Sequence, residues 1–115
     1  MSKPRIYHNP RCSKSRGCLQ ILEERGLAVE QVRYLEERPD RGELEWLWQR
    51  LGRDMLRQGE ALYRDLDLAQ ASVERILDAL VQHPILIERP IVILGDRAVV
   101  ARPPEKVREL LMERQ

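Results

Sequence analysis

Residues 5–26 read RIYHNPRCSKSRGCLQILEERG, and this stretch decides the fold. Arg5 to His8 is a short strand candidate that ends in the turn-forming pair Asn9-Pro10. Ser13 to Arg25 reads as a helix, with Leu19 and Leu22 three apart, Cys18 and Ile21 beside them, and Gly26 as its stop. Val29 to Leu35 then has the β-branched and aromatic content of a second strand. A strand, a helix and a strand in that order imply a parallel pair joined by a crossover helix.

Downstream, Asp40 opens a helix in which Leu44, Leu47, Trp48 and Leu51 fall on one face and Gly52 closes the run. Asp40-Arg41-Gly42-Glu43 has the form of a capping box. Ser72 caps another helix with Val73, Ile76, Leu77 and Leu80 on one side, ending before His83-Pro84. Ile91 to Leu94 and Arg97 to Val100 are β-branched runs separated by Gly95-Asp96, a hairpin spacing. Pro103 and Pro104 open a last helix with Val107, Leu110 and Leu111 inward. The expected fold is therefore α/β: a thioredoxin-like mixed sheet, β-α-β plus β-β-α. It forms one domain over residues 1–115, with a helical insertion at about 40–82.

Composition narrows the function classes. The chain has 20 Lys+Arg against 19 Asp+Glu, a net charge of +1. That balance argues against a general nucleic-acid coat, which needs a basic surplus. No apolar run approaches the ~20 residues that span a bilayer, so no membrane partner is expected. The N-terminal residues have no secretory pattern, and the expected location is the cytoplasm, where two cysteines stay reduced. Of the cations, 17 are Arg and three are Lys. This skew has two readings: a compositional bias, or a need for planar guanidinium groups to hold an oxyanion.

Charge is uneven locally. Residues 1–22 carry five basic side chains (Lys3, Arg5, Arg11, Lys14, Arg16) and no acid before Glu23. Cys12 lies in the middle of this stretch, at the expected helix N-terminus. A free thiol has a pKa of about 8.5 and is mostly protonated at neutral pH. Unpaired N–H groups and the positive end of the helix dipole favour its thiolate. The hydroxyls of Ser13 and Ser15, and the charges of Arg11, Arg16 and His8, are placed to add to this. Cys12 is thus expected to be a reactive thiol of depressed pKa.

Cys18 is read as structural. Six residues of helix span ~9 Å, too far for a disulfide with Cys12. Ser15 stands three residues after Cys12, so the pattern is CxxS, and a single thiol needs an external thiol to resolve a mixed disulfide. Two separated cysteines and two separated histidines give no metal-site pattern, and no metal is expected. His8 is assigned a supporting role beside Cys12, and His83 a capping or packing role. Trp48 fits the buried stripe of its helix, which leaves Trp46 as the candidate for a contact surface.

The segment Ile6-Tyr7-His8-Asn9-Pro10-Arg11-Cys12-Ser13-Lys14-Ser15-Arg16 resembles the active-site segment of the glutaredoxin-dependent arsenate reductases. The resemblance continues through Tyr34-Leu35-Glu36, Leu56-Arg57 and His83-Pro84-Ile85-Leu86-Ile87-Glu88-Arg89-Pro90-Ile91-Val92, and ends with Arg102-Pro103-Pro104-Glu105. The Cys12-Ser13-Lys14-Ser15 form is nearest to a branch of that family named by similarity. The resemblance implies a thioredoxin-like fold with Cys12 as nucleophile. It implies that Arg57, Arg89 and Arg102 hold the arsenate oxyanion, that His8 and Ser15 support the site, and that Pro90 is the cis-proline of the fold. Guanidinium forks suit a tetrahedral anion.

The implied reaction is reduction of arsenate to arsenite. Cys12 thiolate attacks arsenic and expels water or hydroxide, glutathione attacks the adduct, and glutaredoxin removes the glutathione moiety. The implied partners are arsenate or a similar small oxyanion, glutathione as co-substrate, and glutaredoxin, with no bound cofactor. Two alternatives stand beside this reading. One is an Spx-type transcription regulator that binds RNA polymerase, a class that commonly carries CxxC. The other is a thiol oxidoreductase acting on another substrate.

Overall fold

The computed structural model describes residues 3–112. Four strands form one sheet: β1 (Arg5–Tyr7), β2 (Glu30–Val32), β3 (Ile91–Leu94) and β4 (Arg97–Val100), in the order β2-β1-β3-β4. β1 runs parallel to β2, with Ile6 opposite Gln31. It runs antiparallel to β3, with Ile6 opposite Val92, and β3 pairs antiparallel with β4. The helices are α1 (Ser13–Glu24), α2 (Arg41–Leu51), α3 (Ala61–Asp65), α4 (Val73–Gln82) and α5 (Val107–Met112). The architecture is the thioredoxin-like mixed α/β arrangement expected from the sequence.

The two faces of the sheet carry different cores, because successive strand residues point to opposite sides. Tyr7, Ile91 and Ile93 pack with Leu44, Leu47, Ile76 and Leu80 of α2 and α4. Ile6, Val92 and Leu94 pack with Cys18 and Leu22 of α1 and Val107 and Leu110 of α5. With both faces covered, all four β3 residues are buried, which explains why Ile91 to Leu94 is an unbroken apolar run rather than an alternating one. Gly95 opens the hairpin at φ 63°, a left-handed conformation that a two-residue turn requires.

Side-chain caps explain where two helices begin. Asp40 accepts the Glu43 N–H at 2.8 Å, and Ser72 accepts the Arg75 N–H at 3.2 Å. Gly52 takes φ 55° and ends α2. Arg41 then ties the start of α2 to α4 through Glu74 and Asp78.

Several expectations need correction. The second strand covers three residues rather than Val29 to Leu35, because Arg33 begins a turn in which the Glu36 N–H bonds back to the Arg33 carbonyl. Val73 is 44% exposed, since it sits at the first turn of α4 before the helix reaches the core. Between α2 and α4 lie α3 and short 3-10 turns at 52–55 and 68–70, too brief for periodicity to reveal. Trp46 and Trp48 are both half-buried against the first core, and the Arg50 guanidinium stacks 3.6 Å above the Trp46 ring. Trp46 is therefore not the freely exposed surface its position suggested. His83 closes α4, its N–H bonded to the Ala79 carbonyl at 2.8 Å. Among the described residues no helix is long and apolar enough to cross a membrane.

Candidate active site

The loop between β1 and α1 folds on the side chain of Asn9. Its Oδ1 accepts the Arg11 N–H at 3.0 Å, and its carbonyl accepts the Cys12 N–H at 2.9 Å. Cys12 thereby becomes the N-cap residue of α1, and its own carbonyl accepts the Arg16 N–H at 3.0 Å. The sulfur is partly exposed and forms no cap hydrogen bond of standard geometry.

Burial pushes the Cys12 pKa up, but it is outweighed. The Ser15 backbone N–H, the Arg89 guanidinium and the Lys14 backbone N–H face the sulfur, and the net result lies below the ordinary thiol value. The expected depression is present, and the helix N-terminal N–H groups contribute to it as expected, but the charge comes from Arg89 rather than from Arg11, Arg16 or His8. Arg16 is committed to the Pro10 carbonyl at 3.0 Å. The Ser15 hydroxyl is fully buried and turned away, 2.7 Å from His8 Nδ1, while also accepting the Asn9 N–H at 3.1 Å. His8 is buried, and its pKa is lowered by that burial and by Arg33 and Arg16, so it is held neutral and adds no charge. Both residues act on the shape of the loop.

The arginines come from two regions. The Arg89-Pro90 bond is cis, as the resemblance implied, and Arg102-Pro103 is cis as well. Arg102 Nη1 donates to the Arg89 carbonyl at 2.9 Å. Arg57 reaches the same end of the sheet because its segment is stitched to the strand-like run before β3. Its N–H bonds to the Leu86 carbonyl at 2.8 Å, and the Glu88 N–H bonds to the Met55 carbonyl at 2.7 Å. Leu56 and Ile87 form an antiparallel bridge between these bonds. The neighbouring Arg53 instead donates to the Leu68 carbonyl at 3.4 Å. The structure thus brings Cys12, Arg57, Arg89 and Arg102 together.

Two further residues belong to this cluster; the resemblance blocks included both, but neither was assigned a role. Tyr34 is fully buried and stacks on Tyr7, with ring centroids 6.0 Å apart. Burial raises its pKa, and Arg89 and Arg57 oppose that rise. The Arg89 guanidinium faces the Tyr34 hydroxyl and favours its ionised form by charge and by hydrogen bonding. Glu88 is the second. Its Oε1 lies 3.9 Å from Arg57 Nε and 3.8 Å from Arg102 Nε, and it accepts the Arg89 N–H at 3.2 Å. Arg57 also pairs with Glu60 at 3.1 Å. The signals were there: both lie in the resemblance blocks, Glu88 also stands directly beside Arg89, and Tyr34 falls in the expected second strand.

Cys18 is free and fully buried, and burial alone pushes its pKa up to about 12. A thiol in that environment is inert.

A partly exposed cysteine of lowered pKa at a helix N-terminus, on a β2-β1-β3-β4 mixed sheet covered by helices on both faces, places the molecule among the thioredoxin-like thiol proteins. Within that class the chain belongs to the ArsC family, whose model matches residues 7–110. It is 44% identical over 117 residues to an arsenate reductase of Neisseria meningitidis serogroup A, covering 96% of this chain and 100% of the relative. It is 46% identical over 113 residues to YfgD of Escherichia coli K12, an uncharacterized protein, covering 93% of this chain and 95% of the relative. The solved structure of an arsenate reductase from Vibrio cholerae superposes with a TM-score of 0.89 at 46% identity, covering 94% of this chain and 97% of that one.

Proposed function

We propose that this chain reduces arsenate to arsenite, with Cys12 as nucleophile and Arg57, Arg89 and Arg102 as the oxyanion site. The observation that carries the reading is the position of Arg89, which faces the Cys12 sulfur while its carbonyl holds Arg102. The same positive charge that favours the thiolate is thus adjacent to the groups that would receive the anion it attacks.

In this mechanism Cys12 Sγ attacks arsenic and an arsenic-bound oxygen leaves as water or hydroxide, giving a covalent thiol ester of arsenate. Glutathione then bonds to arsenic through its sulfur, and a second arsenic-bound oxygen leaves as water. A glutaredoxin thiolate attacks the glutathione sulfur to form a mixed disulfide; the S–As bond breaks and its electron pair stays on arsenic, taking it from As(V) to As(III). Water displaces the Cys12 sulfur, releasing arsenite and the free thiol. The two thiols supply both electrons, so no resident metal or organic cofactor is required. Ser15 supports an external reductant over an internal one. The position that would carry a second thiol in CxxC holds a fully buried hydroxyl engaged with His8 and Asn9. That also weighs against an Spx-type redox switch.

The test is a coupled assay containing arsenate, glutathione and glutaredoxin, with oxidised glutathione recycled and followed spectroscopically. Arsenate-dependent turnover is expected, and it should vanish in Cys12→Ser. Turnover that persists in Cys12→Ser, or none in the native chain, would overturn the proposal.

A further inference from the structure

Glu88 contacts all three site arginines through a single atom. Its Oε1 lies 3.9 Å from Arg57 Nε and 3.8 Å from Arg102 Nε, and the Arg89 main-chain N–H fixes it at 3.2 Å. Two guanidinium groups from different parts of the chain therefore turn toward one carboxylate oxygen. An oxyanion oxygen would seek the same donors. Neither guanidinium contact is within hydrogen-bonding distance, so the carboxylate is held there by charge more than by formed bonds. A tetrahedral anion with several oxygens is a stronger competitor for these groups.

We propose that Glu88 is the resident anion of the oxyanion pocket. It keeps Arg57 and Arg102 aimed at a common point while the pocket is empty. It also sets the affinity and charge preference for the incoming anion, which must take its place between the guanidinium groups. Glu88 is a positioning residue in this role, and the proposal deepens the arsenate reading and rests on it for the nature of the substrate.

Like charges crowded together repel, and an interposed carboxylate relieves that repulsion. Arg57, Arg89 and Arg102 bring three positive charges, against Glu60, Glu88 and the Cys12 thiolate. The site is therefore close to neutral with the thiolate formed. A neutral site discriminates little in favour of a doubly charged anion over a singly charged one. Removing the Glu88 charge tips the balance toward the dianion.

The experiment needs no turnover. The alkylation rate of Cys12 by iodoacetamide is titrated with inorganic phosphate, and the half-protecting concentration is read. It is compared in the native chain, in Glu88→Gln and in Glu24→Gln, which removes an exposed charge on α1. Glu88→Gln keeps an acceptor for the Arg89 N–H. Its half-protecting concentration should fall about tenfold, and by more at about pH 8 than at about pH 6, since phosphate gains its second charge between them. Glu24→Gln should move it less than about twofold. In the coupled assay KM for arsenate falls in step and kcat does not rise. Should the glutamine variant fold poorly, Glu88→Ser removes the same charge and is expected to tighten the anion too.

An unchanged or higher half-point in both Glu88 variants, with the native chain protected, overturns the role of Glu88 alone. An equal gain in Glu24→Gln also overturns it, because the effect would then be one of net charge. Protection with the predicted Glu88 shift but no arsenate turnover leaves the resident anion standing and removes arsenate as substrate. No protection of the native chain removes both.

Discussion

His8 Nδ1 and Ser15 Oγ lie 2.7 Å apart, both buried, directly beneath the loop that carries Cys12. The same hydroxyl accepts the Asn9 N–H. Ser15→Ala strands an imidazole nitrogen and a backbone donor, a loss of about 1–3 kcal/mol. Thermal unfolding should fall by several degrees. The Cys12 titration should move little, because it is the Ser15 main-chain N–H, retained in the variant, that faces the sulfur. A large change in thiol pKa with unchanged stability would reverse that assignment of roles.

The neutral state of His8 links stability to pH. Its folded pKa is lowered, by burial first and then by Arg33 and Arg16. The unfolded chain therefore binds a proton below about 6.5 that the folded chain resists. Stability is complete above that value and declines as pH falls toward the lowered folded pKa. Melting curves from about pH 7.5 to 5 should show this decline, and His8→Gln should flatten it. An equal slope in the variant would assign the acid sensitivity to other groups.

Arg89 and its two companions should separate experimentally. Arg89→Ala removes the guanidinium beside the thiol, so the alkylation pKa of Cys12 should rise and its rate at neutral pH should drop. Arg57→Ala should leave that pKa nearer to native and instead raise KM for arsenate by about tenfold or more, the worth of one charged hydrogen bond. Comparable thiol shifts in both variants would mean that the pocket acts on the sulfur as one undivided field.

The two cysteines predict a labelling stoichiometry. Cys12 is partly exposed with a lowered pKa, and Cys18 is buried with its pKa near 12. Native protein should take up one equivalent of iodoacetamide at neutral pH, and denatured protein two. Cys18→Ala should preserve the fast-reacting thiol at a stability cost of about 1 kcal/mol. Rapid native labelling of Cys18 would contradict its burial.

The strand, turn and helix around Cys12 were legible from sequence because each signal is local: Asn9-Pro10, the apolar spacing of α1, and a run without acids before Glu23. The helix N-terminal donors that favour the thiolate were legible too, but the cation beside it was not. Arg16 is nearer in sequence than Arg89, yet it binds the Pro10 carbonyl, while Arg89 is brought beside the thiol by the pairing of Tyr7 with Ile91 in the neighbouring strand. Arg57 could not be told from Arg53 by spacing alone, since the choice is made by main-chain bonds to Leu86 and Met55. Glu88 and Tyr34 escaped for the same reason: their importance lies in long-range contacts that pattern reading cannot register.

The bridge between Leu56 and Ile87 fastens the Arg57 segment to the rest of the site. The hydrogen bonds that shape the Cys12 loop join His8, Asn9, Pro10, Arg11, Cys12, Ser15 and Arg16 to one another. On the proposed reading the chain divides its labour, with the nucleophile on the first loop, the activating Arg89 just before β3, and part of the anion site brought in from the middle. Replacing Arg57 and Glu60 while keeping the buried Met55 and Leu56 is expected to change the anion preference and leave the thiol reactive.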